Sequence, residues 1–402
     1  MENVTVEQAL QLISERVSKV DRKEMLNLSD ALGYVLAETI YSPISNPPFD
    51  RSPIDGYALR AVDSIGASKE TPVCLKVVEE IDAGQHSDRF IEPGEAVRIM
   101  TGAPIPKGCD CCIRQECTDY GEEIVQIYQE LQPHENYCDQ GEDIQQGNLL
   151  VQEGTKLSFV EMGILASVGI TEVEVYEKPR IALVTTGDEV IEPGEPLRPG
   201  KIYNSNLTMM KARFTELGHP LTIIESETDD AYALAKRLER LSTQVDVIIT
   251  TGGVSVGKKD ILHEALPIIG AERIFWRVLL KPGTPTIFSV YNGTPILSLS
   301  GNPFGALTNT ELLVRPMLAI LAQDEQLMPK RLSGEMEDDF IKESKGRRFV
   351  RACYENGRVF LSSKGLHSSG VLSSMAGCNC VIDIKPGTKQ LLKGDKVTVV
   401  LL

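Results

Sequence analysis

Histidine, tryptophan and long apolar runs are what this chain has least of. Its 402 residues include 5 histidines and 1 tryptophan, and the histidines are scattered, none at metal-ligand spacing. No run approaches the roughly 20 apolar residues needed to span a bilayer. The opening MENVTVEQAL carries neither the basic nor the apolar segment of a secretory signal. A cytoplasmic protein with no membrane partner is therefore expected. Positive charge is also short: 41 Lys and Arg face 57 Asp and Glu, a formal net charge of -16. That balance excludes a broad nucleic-acid surface, which needs clustered cations, but leaves room for a small cationic pocket. The 9 cysteines include Cys109, Cys111, Cys112 and Cys117 in one stretch, yet form no pair of CxxC knuckles. Buried reduced thiols are expected rather than zinc or disulfides.

The length suits two to four domains. Thr5 and Gln8 form a capping-box pattern for a first helix, with Ala9, Leu10, Ile13 and Val17 on one face. A second helix is expected near Leu26 to Leu36. From about 71 to 150, short β-branched runs broken by Gly, Pro, Asp and Asn predict a β-rich domain inserted into the first. From about 178 to 325, strands alternate with helices: RIALVTTG, PLTIIE, VDVIITTG, IFWRVLL and TPILSLS read as strands of a largely parallel sheet. Four of the five run into polar or Gly/Pro-rich loops, TTGDE, TTGGVSVGKKD, LKPGTP and SLSGNP. Ligands of such sheets bind beyond the carboxyl ends of the strands. In the last segment Asn356-Gly357 between alternating runs signals a hairpin, and a small β-barrel or sandwich is expected. The expected borders are 1–45 with 147–177 for a discontinuous N-terminal domain, 46–146 for the β-rich insertion, 178–327 for the α/β domain and 328–402 for the C-terminal β-domain.

The loop from Thr250 to Gly257 follows a strand and precedes a helix. Gly252, Gly253 and Gly257 let backbone amides approach an anion, and Ser255 adds a hydroxyl; tight turns also need glycine. Its spacing fits neither the Rossmann nor the Walker fingerprint. Glu189, Asp229 and Asp260 lie beside this loop or the neighbouring strand ends. Carboxylates at a phosphate site make sense if a hard cation such as Mg²⁺ bridges them to substrate. Asp229 and Asp230 also precede a helix, where simple capping is the alternative. Arg277 and Lys281, four apart in WRVLLKPG, are expected on one face of a strand end, where they would hold an oxyanion. Arg347, Arg348 and Arg351 fit either a second cationic contribution or a solvated edge.

Taken in order, PPFDRSPIDGYALR, RIMTGAPIPKGCD, GEDIQQGNLL, TTGDEV, TTGGVSVGKKD, FWRVLLKPGTP and LSLSGNPFGA closely resemble the molybdopterin molybdenumtransferase family over nearly the whole chain. The resemblance implies a multidomain α/β plus β protein: an elongated four-domain subunit with a central adenylyltransferase-like α/β domain, an inserted β-rich domain and a C-terminal β-barrel. It implies a homodimer whose cleft joins the α/β domain of one subunit to the β-rich domain of its partner. The implied reaction takes adenylated molybdopterin and molybdate and, with Mg²⁺ on Glu189, Asp229 and Asp260, releases AMP and molybdenum cofactor. Molybdopterin adenylyltransferase and acceptor molybdoenzymes are the implied protein partners.

Carried over by motif, Gly252, Gly253, Ser255 and Gly257 would cradle the nucleotide or phosphate end. Arg277 and Lys281 match cationic positions, and Asp55, Thr101 and Asp143 match polar cleft positions from the β-rich domain. Asp50 would serve the cleft or organise its own turn. Pro282, Ser300, Gly301, Asn302, Pro303, Arg351 and Ser369 complete the substrate-binding set. Two loops depart from the family pattern: LPGNP reads Leu299-Ser300-Gly301-Asn302-Pro303 here, and KPGKP reads Lys281-Pro282-Gly283-Thr284-Pro285. The new hydroxyls offer donors to molybdate. The competing expectations are an adenylyltransferase, a tungstate-inserting paralogue and a non-catalytic scaffold of the same fold.

Overall fold

The computed structural model describes residues 1–254, 261–362 and 367–402. The chain divides into two compact units, one of residues 1–24, 33–35 and 175–402, the other of residues 25–32 and 36–174.

The first unit is built on a seven-stranded sheet. Its strands are β1 (Glu2–Val4), β2 (Ile181–Thr186), β3 (Ile223–Glu227), β4 (Val247–Thr251), β5 (Glu272–Val278), β6 (Ile287–Tyr291) and β7 (Thr294–Leu299), in the spatial order β1-β5-β6-β7-β4-β2-β3. Strands β3, β2, β4 and β7 are parallel, so their carboxyl ends share one edge of the sheet. Alternate residues feed two cores. Ile181 and Leu183 pack with Met210 and Phe214 of helix α2 (Ser205–Glu216) on one face. Ala182 and Val184 pack with Leu234, Leu238 and Leu241 of α3 (Ala231–Ser242) and Leu262 and Leu266 of α4 (Ile261–Ile268) on the other. Burial on both faces explains why these strands read as continuous apolar runs.

Helix α1 (Val6–Ser14) carries the expected capping box, with Thr5 and Gln8 bonded reciprocally. The first 24 residues, expected with an N-terminal helical domain, instead belong to this unit: β1 pairs in parallel with β5, and α1 buries Ala9 and Ile13 in the same core as the sheet. The helix expected near Leu26 to Leu36 is absent. That stretch holds a strand Lys23–Asn27, a single 3-10 turn Leu28–Asp30 and a two-residue strand Val35–Leu36. Gly33, at φ 76°, breaks any helical run there. One strand escapes the sequence reading: β6, antiparallel to both neighbours. It turns into β7 through Asn292-Gly293, both at positive φ, the hairpin signal also present at Asn356-Gly357.

The C-terminal strands are β8 (Arg331–Met336), β9 (Arg347–Glu355), β10 (Arg358–Leu361), β11 (Cys380–Ile384) and β12 (Lys396–Leu401). The order β9-β10-β8-β12-β11 closes because β11 also pairs with β9. Closure makes a barrel and removes the free edges. Its interior holds Met336, Val350, Ala352, Val359, Ile382 and Val399.

Between sheet and barrel runs a continuous helical segment: α5 (Pro303–Asn309), a π-helical turn Thr310–Val314, then α6 (Arg315–Ala322). The π turn carries Glu311, which is fully buried. Arg213 of α2 grips it through two bonds of 2.8 and 3.0 Å, and Arg315 adds a third at 2.6 Å.

The second unit contains a five-stranded sheet in the order Cys111–Arg114, Gly56–Leu59, Glu95–Ile99, Val73–Ile81, Ile124–Ile127. Cys111 and Cys112 point into opposite cores, and all 9 cysteines are free thiols. Burial raises both thiols, Cys112 to about 12, so they act as small apolar residues.

Glu311→Ala strands the buried Arg315 guanidinium without its counter-charge and leaves Arg213 only the exposed Glu216. It is expected to lower unfolding free energy by about 3–5 kcal/mol, read as a fall in the urea midpoint at unchanged slope.

Candidate functional site

Three parallel strands end side by side, and their loops form the floor of a cleft of about 1250 Å³. The loops are Thr185 to Glu189 after β2, Thr251 to Val254 after β4, and Ser300 to Pro303 after β7. Backbones approach closely here. Gly252 has φ 101°, and a Cβ on it would lie 2.5 Å from the Thr186 carbonyl oxygen. A Cβ on Gly301 would lie 3.5 Å from the Gly252 Cα. The Asn206 amide of α2 spans two loops, donating to Thr251 Oγ1 at 2.9 Å and to the Gly301 carbonyl at 2.8 Å. Thr186 Oγ1 and Asn206 Oδ1 are buried with no partner among the described residues. Orphaned polar atoms on a cleft floor are the kind a ligand satisfies.

A fourth wall is the loop from Lys281 to Pro285. Gly283, at φ 100°, leaves no space for a side chain, since a Cβ would meet Asn309 Oδ1 at 2.6 Å. Asn309 Nδ2 donates to the Gly283 carbonyl at 2.8 Å and to Thr286 Oγ1 at 2.6 Å, locking the loop to α5. The barrel supplies the rest of the lining, including Lys342, Arg348, Arg351 and the run from His367 to Gly370.

Among the sequence candidates, Glu189, Asp229, Gly252, Gly253, Lys281, Pro282, Ser300, Gly301, Asn302, Pro303, Arg351 and Ser369 all line this one cleft. Ser255, Gly257 and Asp260 lie outside the described residues. The two aspartates before α3 divide their roles. Asp230 caps the helix, accepting from Ala233 N at 2.9 Å, while Asp229 lines the cleft. Asp188 and Asp229 clasp the ends of β2 and β3 reciprocally, Asp229 N donating to Asp188 Oδ1 at 3.1 Å and Asp188 N to Asp229 Oδ2 at 3.4 Å.

The described residues contain no cluster of three metal-ligating side chains. Glu189 and Asp229 nonetheless offer oxygen donors only. Mg²⁺ is commonly held by one or two carboxylates together with substrate phosphates, so this donor chemistry fits that ion.

Arg277 departs from expectation. It sits at φ 64°, its N–H donates to the Thr286 carbonyl at 2.8 Å, and its guanidinium lies 5.6 Å from the Trp276 ring centre rather than in the cleft lining. β5 ends at Val278 and Lys281 belongs to a separate two-residue strand, Leu280–Lys281. The alternation that would place both cations on one face therefore breaks between them.

Arg351 lies over the Phe304 ring at 3.9 Å and is fully buried. It donates to the carbonyls of Ser368, at 2.8 Å, and Val371, and to Ser374 Oγ. Burial holds its pKa below the usual arginine value. It shapes the turn that brings Ser369 to the cleft, where the Ser369 carbonyl accepts from Phe304 N at 3.2 Å.

The two substituted loop positions act within their own loops. Ser300 Oγ accepts from Asn302 N at 3.3 Å, and Thr284 Oγ1 donates to the Leu280 carbonyl. The Thr284 hydroxyl hydrogen is thus committed, contrary to the expected donation to molybdate.

Asp55, Thr101 and Asp143 belong to the second unit. Thr101 N and Oγ1 both donate to Asp55 Oδ1, at 2.7 and 2.8 Å, and hold its carboxyl below the ordinary range. Asp143 accepts from Asn46 Nδ2 at 3.3 Å. Asp50 organises its own turn, accepting from the Tyr137 hydroxyl and Gln140 N, both at 2.7 Å.

Sequence reasoning missed Thr186, Asn206, Lys342 and His367, and left Arg348 open between a cationic contribution and a solvated edge; the structure places it in the cleft lining. For Thr186 the signal was the repeated Thr-Thr-Gly at two strand ends; the others come together only in three dimensions. It also passed over Gly253-Val254-Ser255-Val256-Gly257, which has the GxSxG spacing of a hydrolase elbow. His367, the histidine of the described lining, packs edge-on against Phe340 at 5.1 Å. Among the described residues no carboxylate pairs with it, as a Ser-His-acid relay would require.

A parallel sheet whose central strand ends floor a glycine-lined cleft defines the class first: the description "Probable molybdopterin binding domain" matches residues 182–320. Residues 4–169 match "MoeA N-terminal region (domain I and II)" and residues 333–402 match "MoeA C-terminal region (domain IV)". The chain is 32% identical over 400 residues to the molybdopterin molybdenumtransferase of Staphylococcus aureus, covering 99% of this chain and 95% of that one. It is 33% identical over 401 residues to that of Staphylococcus epidermidis, with the same coverage of 99% and 95%. The crystal structure of the molybdopterin biosynthesis MoeA protein from Pyrococcus horikoshii superposes with a TM-score of 0.85 at 31% identity, covering 99% of both chains. The chain belongs to the MoeA family of molybdopterin molybdenumtransferases.

Gly252→Ala forces a Cβ against Thr186 and an unfavourable positive φ. It is expected to cost about 2–5 kcal/mol in chemical denaturation.

Proposed function

We propose that the protein inserts molybdate into adenylated molybdopterin and releases AMP, completing the molybdenum cofactor. The observation that carries this reading is the charge division of the cleft. Carboxylates Glu189 and Asp229 stand in its lining beside the glycine floor, and cations Lys281, Lys342 and Arg348 come from the barrel and the strand that joins it. An elongated substrate with phosphates toward one region and an oxyanion-accepting group toward the other suits that division. The volume, about 1250 Å³, exceeds the roughly 300–1,000 Å³ of ordinary small-ligand pockets.

The protein's own contribution is positioning. The loops at Gly252 and Gly301 receive the phosphate end, and the Thr186 hydroxyl offers it a donor. The barrel-side cations hold the oxyanion against the acceptor sulfurs, which replaces bulk water by fixed charge where the new bonds form. Glu189, Asp229 and, by family position, Asp260 would hold Mg²⁺, which would supply polarisation of the phosphoanhydride. By family position Ser255 and Gly257 belong to the phosphate-binding set, and Asp55, Thr101 and Asp143 to the substrate-handling set.

The domain borders proposed are those expected from sequence, with residues 1–24 reassigned to the α/β unit. We read the protein as a cytoplasmic homodimer that receives substrate from an adenylyltransferase and passes cofactor to acceptor enzymes. Support for self-association comes from helix Phe159–Ser167: apart from Glu161, held in its capping box, and Ser167 it is apolar, yet it buries Leu165 alone, with Phe159 81% exposed. A helix apolar all round is normally covered. No helix among the described residues is long and apolar enough to cross a membrane.

The test is AMP release from purified protein supplied with adenylated molybdopterin and Mg²⁺, with molybdate, tungstate or neither. Molybdate-dependent release with active cofactor formed is expected. Asp229→Asn should lower it at least about tenfold, as should Asp260→Ala, with folding intact by circular dichroism. Unchanged turnover in both variants would remove the metal role.

A further inference from the structure

His367 lines the cleft from the barrel side and is half-buried there, so part of its ring meets the ligand space. Phe340 holds the ring edge-on at 5.1 Å, and Nδ1 is buried with no partner among the described residues. His86 and His134, by contrast, stand beside Asp88 and Asp139. A carboxylate or carbonyl on one ring nitrogen fixes which of the two carries the proton. Nothing among the described residues does so for His367, and its ring can carry a proton on either nitrogen.

The charged groups that face this ring are cations. Burial, and then the charges of Arg351, Lys342 and Arg348, hold its pKa below the ordinary histidine value. Arg347, next to Arg348 in β9, does not line the cleft: it is neutralised by Asp383, at 2.8 and 2.7 Å, and by Glu7. A neutral imidazole among cations gains affinity for a proton when negative charge arrives in front of them. A bound molybdate dianion supplies that charge, so the ring becomes a proton acceptor only once the oxyanion is in place.

Molybdate insertion needs such a group. Two thiols and one molybdate form two Mo–S bonds and break one Mo–O bond. The two thiol protons leave with that oxygen as water, charge balances, and no electron is exchanged. On the barrel side of the described lining, Lys342, Arg348 and Arg351 are donors without an acceptor site, as is the neighbouring Lys281. Histidine both takes and gives a proton near neutral pH.

We propose that His367 is the proton-transfer residue of molybdate insertion, its ring taking each proton from an acceptor thiol and passing it to the departing molybdate oxygen. The ring returns to the neutral form after each transfer. This role rests on the proposed function, which supplies both substrates.

The experiment has two arms, both on the full chain. In the first, NMR of Cε1-labelled histidine follows each ring through its titration with sodium molybdate or sodium chloride, and H367Q identifies the His367 signal. The midpoint should lie below the ordinary histidine value in chloride and rise by at least about one pH unit with molybdate. In the second, molybdate-dependent AMP release by H367Q should fall about 100-fold or more in kcat, with little change in KM for molybdate. Free imidazole should restore activity to H367G, which separates lost proton transfer from lost packing against Phe340. Full turnover in H367Q, a midpoint that molybdate leaves in place, or a loss that imidazole cannot restore overturns the role. Wild-type release with no deficit in H367Q removes this inference alone, whereas a wild type without molybdate-dependent release removes the proposed function and this role with it.

Discussion

The structure depends on how closely three parallel strand ends approach one another. Gly252 lies so near the Thr186 carbonyl that no Cβ fits, and Gly301 stacks against Gly252 in turn. This contact sets the depth of the cleft and exposes backbone at its floor. Asn206 reaches across from α2 to fasten Thr251 to Gly301, and Asn309 performs the same service for Gly283 from α5. Each loop is thus held from behind by a helix whose own position comes from the two sheet cores. Rigid support for glycine-rich loops is what preorganised ligand binding requires.

A second level of organisation couples the sheet to the barrel. The helical segment that begins at the Ser300–Pro303 loop passes through the π turn bearing Glu311, and Arg213 and Arg315 close on it from two helices. A wider turn of this kind, often found near functional sites, sets a buried carboxylate between two cations. The short strand Leu280–Lys281 makes the other link, pairing the loop after β5 with β9 of the barrel. Through these two connections the barrel contributes one wall of a cleft whose floor belongs to the sheet. The charge division follows: carboxylates come from the strand-end loops, cations from the barrel and the strand joined to it.

Much of this was legible in the sequence. The runs of β2, β4 and β7 were read correctly because strands buried on both faces cannot hide their apolar character. Twelve residues named as ligand-binding or metal-binding candidates fall in one cleft, since glycine and carboxylate motifs at strand ends carry their own physical rationale. The helix near Leu26 to Leu36 failed because apolar spacing alone does not separate a short strand pair from a helix. β6 was missed although Asn292-Gly293 carried a recognised hairpin signal. Arg277 was misplaced because a count of two assumes an unbroken strand, and its positive φ breaks it.

By itself, the sequence determined the local order: which runs become strands, where the glycines stand that must approach a ligand or a neighbouring backbone, and which loops follow each strand. It determined these because propensity, periodicity and turn chemistry act over a few residues. Only the tertiary structure decided the fates of Arg347, Arg348 and Arg351, which look alike in sequence. One is neutralised by Asp383, one is buried beneath the Ser368 to Val371 turn, and one is left facing the cleft. The physical reason is that a cation's role depends on the carboxylates within a few ångströms, and those come from Glu7 and Asp383, at opposite ends of the chain.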